Sequence, residues 1–300
     1  VWTSPIISID NYKYYLVIVD HHSRYVWFYP FKLKSQVRET FIRFTALIEN
    51  KFQQKVGTLF SDNGGEFIAL RAFLASKGIA HLTSPPNTPE HNGLAERRHR
   101  HIVETGLTLL TKAHLPNSYW PYAFATAVYL INRMPTQTLS LCSPFKVLFQ
   151  TDPNYSKLKI FGCLCFPWLR PYTSHKLDPR SAPCIFLGYS LTQSAYLCWQ
   201  PQTQHMYVSR HVRFEETIFP FKSIISSSTE LPSFESPISY TPTATSVPIP
   251  PSPLIPAPLS SSEHMGSSGS DSPPEMMHHS QSTSTPSSPA DSVEHSATST

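Results

Sequence analysis

Apolar positions follow two rhythms along this chain of 300 residues, and each rhythm predicts an element. Tyr14-Tyr15-Leu16-Val17-Ile18-Val19 is continuously apolar, which predicts a buried strand. After Asp20-His21-His22-Ser23, the run Tyr25-Val26-Trp27-Phe28-Tyr29-Pro30 predicts a second strand, antiparallel to the first across a short turn. Over residues 34–54 the spacing changes to Val37, Phe41, Phe44, Leu47 and Ile48. Steps of three and four predict an amphipathic helix. Residues 56–61 predict a short strand running into Asp62, residues 67–76 a short helix, and residues 79–83 another strand. Pro85, Pro86 and Pro89 make residues 84–91 an irregular loop. Asn92 then stands at the cap of a helix that continues to about Leu110, and a further helix is expected over residues 118–134.

The order β-β-helix-β-helix-β-helix-helix, with a strand missing before Tyr14, predicts a mixed sheet covered by helices. The fold class is thus α/β over residues 1–140, followed by a connector at 141–158. From residue 159 to 221 the pattern becomes short β-rich runs separated by turns, at 160–166, 182–187, 195–199 and 205–214. That spacing predicts a small all-β barrel. About 60 residues is near the lower limit for folding alone, so this unit is expected to pack on the preceding helices.

Composition divides the chain again. Residues 1–221 carry 23 Lys and Arg against 13 Asp and Glu, a net charge of +10. Residues 222–300 carry one Lys against seven acids, and 13 of the 29 prolines. A stretch so rich in Ser, Thr and Pro buries too little apolar surface to offset its ordering entropy, so residues 222–300 read as a disordered linker. The basic folded part suits a polyanionic partner. Cys142, Cys163, Cys165, Cys184 and Cys198 form no C-x-x-C pair and read as small core hydrophobes rather than zinc ligands. No apolar run reaches 18 residues and no signal-like start is visible, so no membrane association is expected. The chain starts with Val rather than Met and ends inside low complexity, which reads as a piece of something longer.

Two acidic residues carry the candidate chemistry. Asp62 lies at the end of a predicted strand in Ser61-Asp62-Asn63-Gly64-Gly65-Glu66-Phe67. Glu96 lies in the first turn of a predicted helix in Asn92-Gly93-Leu94-Ala95-Glu96-Arg97-Arg98. Carboxylates held by a strand end and a helix start can grip Mg²⁺ over a phosphodiester, since Mg²⁺ takes oxygen ligands and few protein contacts. Gly64 and Gly65 permit a tight exit after Asp62. The macrodipole favours an ionised Glu96. Arg97, His99, Arg100 and His101 around Glu96 would meet a nucleic-acid backbone. The same residues also fit an ordinary turn, an ordinary helix start and a solvated basic face.

Taken with Gly78-Ile79, Thr88-Pro89, Tyr14-Tyr15, Val19-Asp20 and Ser23-Arg24, these motifs resemble the integrase of copia-type LTR retrotransposon Pol polyproteins. Phe161-Gly162-Cys163 and Phe186-Leu187-Gly188-Tyr189 resemble the SH3-like β-domain that follows it there. The likeness spans roughly residues 1–221. It implies a ribonuclease H-like core, 3′-end processing and strand transfer of element DNA, and Mg²⁺ or Mn²⁺ as cofactor. Asp62 and Glu96 would be catalytic metal ligands, and Asn92, Arg97, Arg98 and Arg100 would position DNA. Implied partners are DNA ends and target, further copies of the protein on DNA, and an adjoining reverse transcriptase. The implied location is intracellular, in cytoplasmic particles and then the nucleus.

Departures from the family pattern matter as well. The family's first catalytic Asp precedes a Trp, so here it would fall immediately before Val1, and the chain as written is expected to be inactive. Asp20 reads as a structural turn residue and Asp10 as no better substitute. The interval between Asp62 and Glu96 holds 33 residues where the family typically has 35. His99 stands where an Asn is usual, and Glu90-His91 replaces a Gln pair. Two further readings stay open: a non-catalytic nucleic-acid-binding or assembly module, and a related transposase or nuclease on the same fold.

Overall fold

The computed structural model describes residues 1–83, 93–172, 175, 177–190 and 193–222. The proline loop at 84–91, the expected cap Asn92 and the linker from 223 onward lie outside the described residues.

The two aromatic runs form the strands expected of them. Strand β2 (Tyr14–Val19) pairs antiparallel with β3 (Val26–Phe31), in register from Tyr14 opposite Phe31 to Val19 opposite Val26. Alternation sorts their side chains onto two faces. Tyr15, Val17, Val26 and Phe28 enter one core, while Leu16, Tyr25, Trp27, Tyr29 and Phe31 enter another. Both faces are covered, which is why the runs are continuously apolar rather than alternating. Asp20 is the turn residue expected: its carboxylate accepts the Ser23 backbone N–H at 2.7 Å and the Ser23 hydroxyl as well. The strand read as missing before Tyr14 is present, as the two-residue β1 (Trp2–Thr3), antiparallel to β2.

Helix α1 (Gln36–Phe52) presents Val37, Phe41 and Phe44 to the second core. Strands β4 (Thr58–Ser61) and β5 (Ala80–Thr83) run parallel, as a crossover connection requires. Between them the single helix expected at 67–76 divides into α2 (Gly65–Ile68) and α3 (Arg71–Lys77). The chain tightens at Leu70, whose N–H bonds Phe67 three residues back, and Phe67, Leu70 and Leu74 still share one buried face. Strands expected in one mixed sheet are hydrogen-bonded as two groups, β1-β2-β3 and β4-β5. With only two residues, β1 offers little edge for β4 to join.

Helix α4 (Gly93–Ala113) buries Ile102, Gly106, Leu110 and Ala113 along one stripe. Helix α5 (Trp120–Ile131) starts from a 3₁₀ turn at Asn117–Tyr119, with Pro121 in its first turn. The two helices approach closely at Gly106, where a Cβ would come within 2.3 Å of the Phe124 ring. A short helix that periodicity does not reveal, α6 (Pro144–Phe149), is capped by the Ser143 hydroxyl. It delivers Phe145 and Phe149 to the second core, with Phe149 edge-on to Tyr25 at 5.4 Å.

The β-rich segment forms a five-stranded antiparallel sheet. Its strands are β6 (Leu164–Pro167), β7 (Cys184–Tyr189), β8 (Tyr196–Gln200), β9 (His205–Ser209) and β10 (Val212–Glu215), in the order β10-β6-β7-β8-β9. The run at 205–214 is two strands rather than one, because β10 leaves β9 and pairs with β6. The Ser209 hydroxyl holds that corner by donating to the His211 carbonyl. Cys163, Cys165, Cys184 and Cys198 are buried in one cluster, all free. Burial pushes the Cys163 and Cys184 thiols up to about 12. As expected, this sheet packs on the helices: Tyr189 stacks on Tyr129 of α5 at 3.7 Å, and Ile185 and Leu187 share a core with Leu110 and Ala123.

Candidate functional site

Asp62 follows the last residue of β4, so the strand fixes its backbone. The side chain is exposed, and its Oδ1 accepts the Gly64 N–H at 3.1 Å. Gly64 and Gly65 do not serve as a left-handed exit: Gly64 has φ −58°, and Gly65 opens α2. What matters at Gly64 is space. A Cβ there would lie 3.0 Å from both Asp62 Oδ1 and the Glu66 carboxyl carbon. Glu66, in the first turn of α2, is thus a second acid beside Asp62. Sequence reasoning passes over it, although its place four residues after Asp62 is a usable signal.

The start of β1 reaches the same place. Burial lowers the pKa of the Val1 amino group, while Asp62 and Glu66 act on it in the opposite sense. Val1 therefore lies within electrostatic reach of both carboxylates.

Glu96 sits exposed in the first turn of α4. One turn further, His99 is half-buried. Its ring stacks on Trp2 at 4.3 Å with 7° between planes, and its Nε2 shares a 2.7 Å hydrogen bond with the Tyr15 hydroxyl. Burial holds the His99 pKa below its ordinary value. Strand β1, the end of β4 and the first turns of α4 are linked in this way around one region.

The basic residues divide by exposure. Arg97 and Arg100 face solvent, and the Arg97 guanidinium turns back toward Gly93, where a Cβ would meet it at 3.2 Å. Arg98 is half-buried, its pKa lowered by burial and by the nearby charge of Arg24. Arg24, in the left-handed conformation at the β2–β3 turn, joins this basic group although the two lie far apart in sequence. Asn92 lies outside the described residues. Asp10 is away from this group: burial raises its pKa, and neighbouring Tyr122 of α5 acts in the opposite sense.

A second surface lies on the five-stranded sheet. An open groove of 880 Å³ is lined by Phe166, Trp168, Tyr196 and Phe214 together with Arg210 and Arg213. Among the described residues, no group of three or more His, Cys, Asp or Glu is gathered in a way that could hold a metal ion. Among them also, no helix is long and apolar enough to cross a membrane.

Two family models match the chain. The integrase core domain family matches residues 1–89, and the retroviral polymerase SH3-like domain family matches residues 163–228. The chain is 58% identical over 280 residues to the retrovirus-related Pol polyprotein from transposon RE1 of Arabidopsis thaliana, covering 91% of this chain and 19% of that protein. It is 41% identical over 212 residues to the corresponding polyprotein from transposon TNT 1-94 of Nicotiana tabacum, covering 70% of this chain and 16% of that one. The chain thus spans less than a fifth of the length of these relatives. A chain from the simian T-cell lymphotropic virus intasome, solved in complex with PP2A regulatory subunit B56 gamma, aligns over 70% of this chain and 74% of its own. Its TM-score is 0.39 at 16% identity, too slight a likeness to argue from. By its sequence relatives and its two domain matches, the chain matches the integrase core and the retroviral SH3-like domain of copia-type retrotransposon Pol polyproteins.

Proposed function

We propose that this chain is the catalytic region of a retrotransposon integrase, acting in 3′-end processing and strand transfer of element DNA, with Asp62 and Glu96 as divalent-metal ligands. One arrangement carries the reading: Val1, at the start of β1, packs on the same buried core as Leu59 of β4, and His99, from the helix turn next to Glu96, stacks on Trp2 of β1. This supports a meeting of the strand end bearing Asp62 with the helix start bearing Glu96.

The donor chemistry suits Mg²⁺ or Mn²⁺, which take carboxylate oxygens. Asp62 is exposed and strand-fixed, Glu66 lies beside it, and the missing Cβ of Gly64 leaves room next to the Asp62 oxygen. Bound there, the metal would supply charge stabilisation at the phosphoryl group and activation of the attacking oxygen. The protein's part is placement. A residue before Val1 would fall beside Asp62, and an aspartate at that position would supply a third carboxylate. The same juxtaposition favours a ribonuclease H-like sheet in the order β3-β2-β1-β4-β5, with β1 lengthened toward β4.

Arg97 and Arg100, exposed on the turns that carry Glu96, would contact phosphates, with Asn92 and the half-buried Arg98 setting the approach. Arg210 and Arg213 beside the groove aromatics offer a second backbone contact. DNA ends and target are the partners in this reading, with further copies of the chain assembled on them. A non-catalytic DNA-binding role is the second reading, which the exposed Arg97 and Arg100 and the net charge of residues 1–221 fit as well.

Joining assays separate the two. The chain with one aspartate added before Val1 should join element-end duplexes to target DNA with Mn²⁺. Asp62→Asn or Glu96→Gln should lower that activity at least about a hundredfold, the cost expected when a group acting at the reacting phosphate is removed. DNA binding without joining in the folded, aspartate-bearing chain would establish the non-catalytic role instead.

A further inference from the structure

We propose that His99 is a positioning residue, which sets the separation between the Glu96 turn of α4 and the β1–Asp62 side of the site. This rests on the reading of Asp62 and Glu96 as metal ligands.

The brace begins in the core. The Tyr15 ring is held by Trp120 at 5.3 Å, Phe124 at 5.7 Å and Phe28 at 5.7 Å, so its hydroxyl is a fixed point. That hydroxyl bonds His99 Nε2 at 2.7 Å, which fixes the imidazole in its plane. Trp2 lies flat on the imidazole at 4.3 Å, and Val1, next to Trp2, packs against the buried core that Leu59 of β4 and Phe67, on either side of Asp62, also join. His99 follows Glu96 by three residues, so the two share neighbouring turns of one helix face. The imidazole is therefore the link through which a rigid core aligns both a helix-borne carboxylate and a strand-borne one.

Residues that orient metal ligands typically change affinity by roughly 10–100-fold when removed. The test is Mn²⁺ binding to the full chain, followed by electron paramagnetic resonance well below the unfolding temperature. Asp62→Asn and Glu96→Gln define the site. His99→Ala should weaken Mn²⁺ binding about tenfold. Tyr15→Phe, which removes only the hydroxyl, should weaken it in the same direction while leaving the fold intact. The double variant should be no worse than His99→Ala alone, since both break one link. His99→Phe, keeping the stack without the hydrogen bond, should recover part of the loss. Loss of Mn²⁺ binding in Asp62→Asn and Glu96→Gln, with full binding in folded His99→Ala and Tyr15→Phe, would overturn the inference alone. Unchanged binding in Asp62→Asn and Glu96→Gln would overturn the metal-site reading, and the inference with it.

Discussion

Asn132 acts as a strand partner from the end of a helix. Its Oδ1 accepts the Val26 N–H and its Nδ2 donates to the Val26 carbonyl, both at 2.8 Å, in a fully enclosed position. Truncation leaves two buried backbone groups unpaired, each costing about 1–3 kcal/mol. Asn132→Ala should therefore lower unfolding free energy by roughly 2–4 kcal/mol in urea titration. His99 makes a second prediction at this scale. Its folded pKa lies below the ordinary 6.5, because burial disfavours the imidazolium. The unfolded chain therefore takes up a proton first as pH falls. The stability owed to neutral His99 is present above about 6.5 and is lost as pH drops through the folded value. His101, also lowered by burial, adds in the same direction. Melting temperature should fall from pH 7 to pH 5, and His99→Phe should show a shallower fall. Residues differ in how far the sequence reveals them. Asp62 and Glu96 stand out because strand end and helix start are local signals. The ties of His99 to Tyr15 and of Arg98 to Arg24 join residues more than seventy positions apart, and no spacing rule reaches that far.

Among the elements, the period of apolar residues reveals those that bury a regular face, and tertiary contact decides the others. Strands β2 and β3 and helices α1, α4 and α5 follow from runs or from steps of three and four. The split at Leu70 and the corner between β9 and β10 arise from packing and from a change of pairing partner. Helix α6 is hidden because six residues are too few to display a period. Two glycines show how the β-sheet seats on the helices. Gly162 has φ +81°, and a Cβ there would lie 2.2 Å from the Ala113 Cβ; Gly188 has φ +120°, and its Cβ would meet the Thr126 hydroxyl at 2.4 Å. Alanine at either site adds left-handed strain to a steric clash. Gly162→Ala and Gly188→Ala should each cost about 2–4 kcal/mol by denaturant unfolding. Because Gly162 and Gly188 lie against α4 and α5, the loss should appear in a single transition covering core and sheet together. Separate unfolding of the two would show that this seam carries little of the stability.

For the whole molecule, charge and composition set a basic part at residues 1–221 apart from the acidic remainder. Composition does not show where the basic side chains gather, since Arg210 and Arg213 acquire their aromatic neighbours only when β10 pairs with β6. If the groove meets DNA, Arg210→Glu with Arg213→Glu should weaken binding about equally across DNA sequences. The slope of log K against log salt should shrink by roughly one for each phosphate that is no longer neutralised. An unchanged slope would remove the groove from the interface. Whether Asp62 and Glu96 share a divalent ion, on which the catalytic reading stands, can be seen by anomalous diffraction at the manganese edge. Crystals of the chain bearing an aspartate before Val1 would be soaked in Mn²⁺. The expected result is a peak about 2.1 Å from oxygens of both Asp62 and Glu96. A peak elsewhere, or Asp62 and Glu96 carboxylates too far apart to touch one ion, would contradict the shared site.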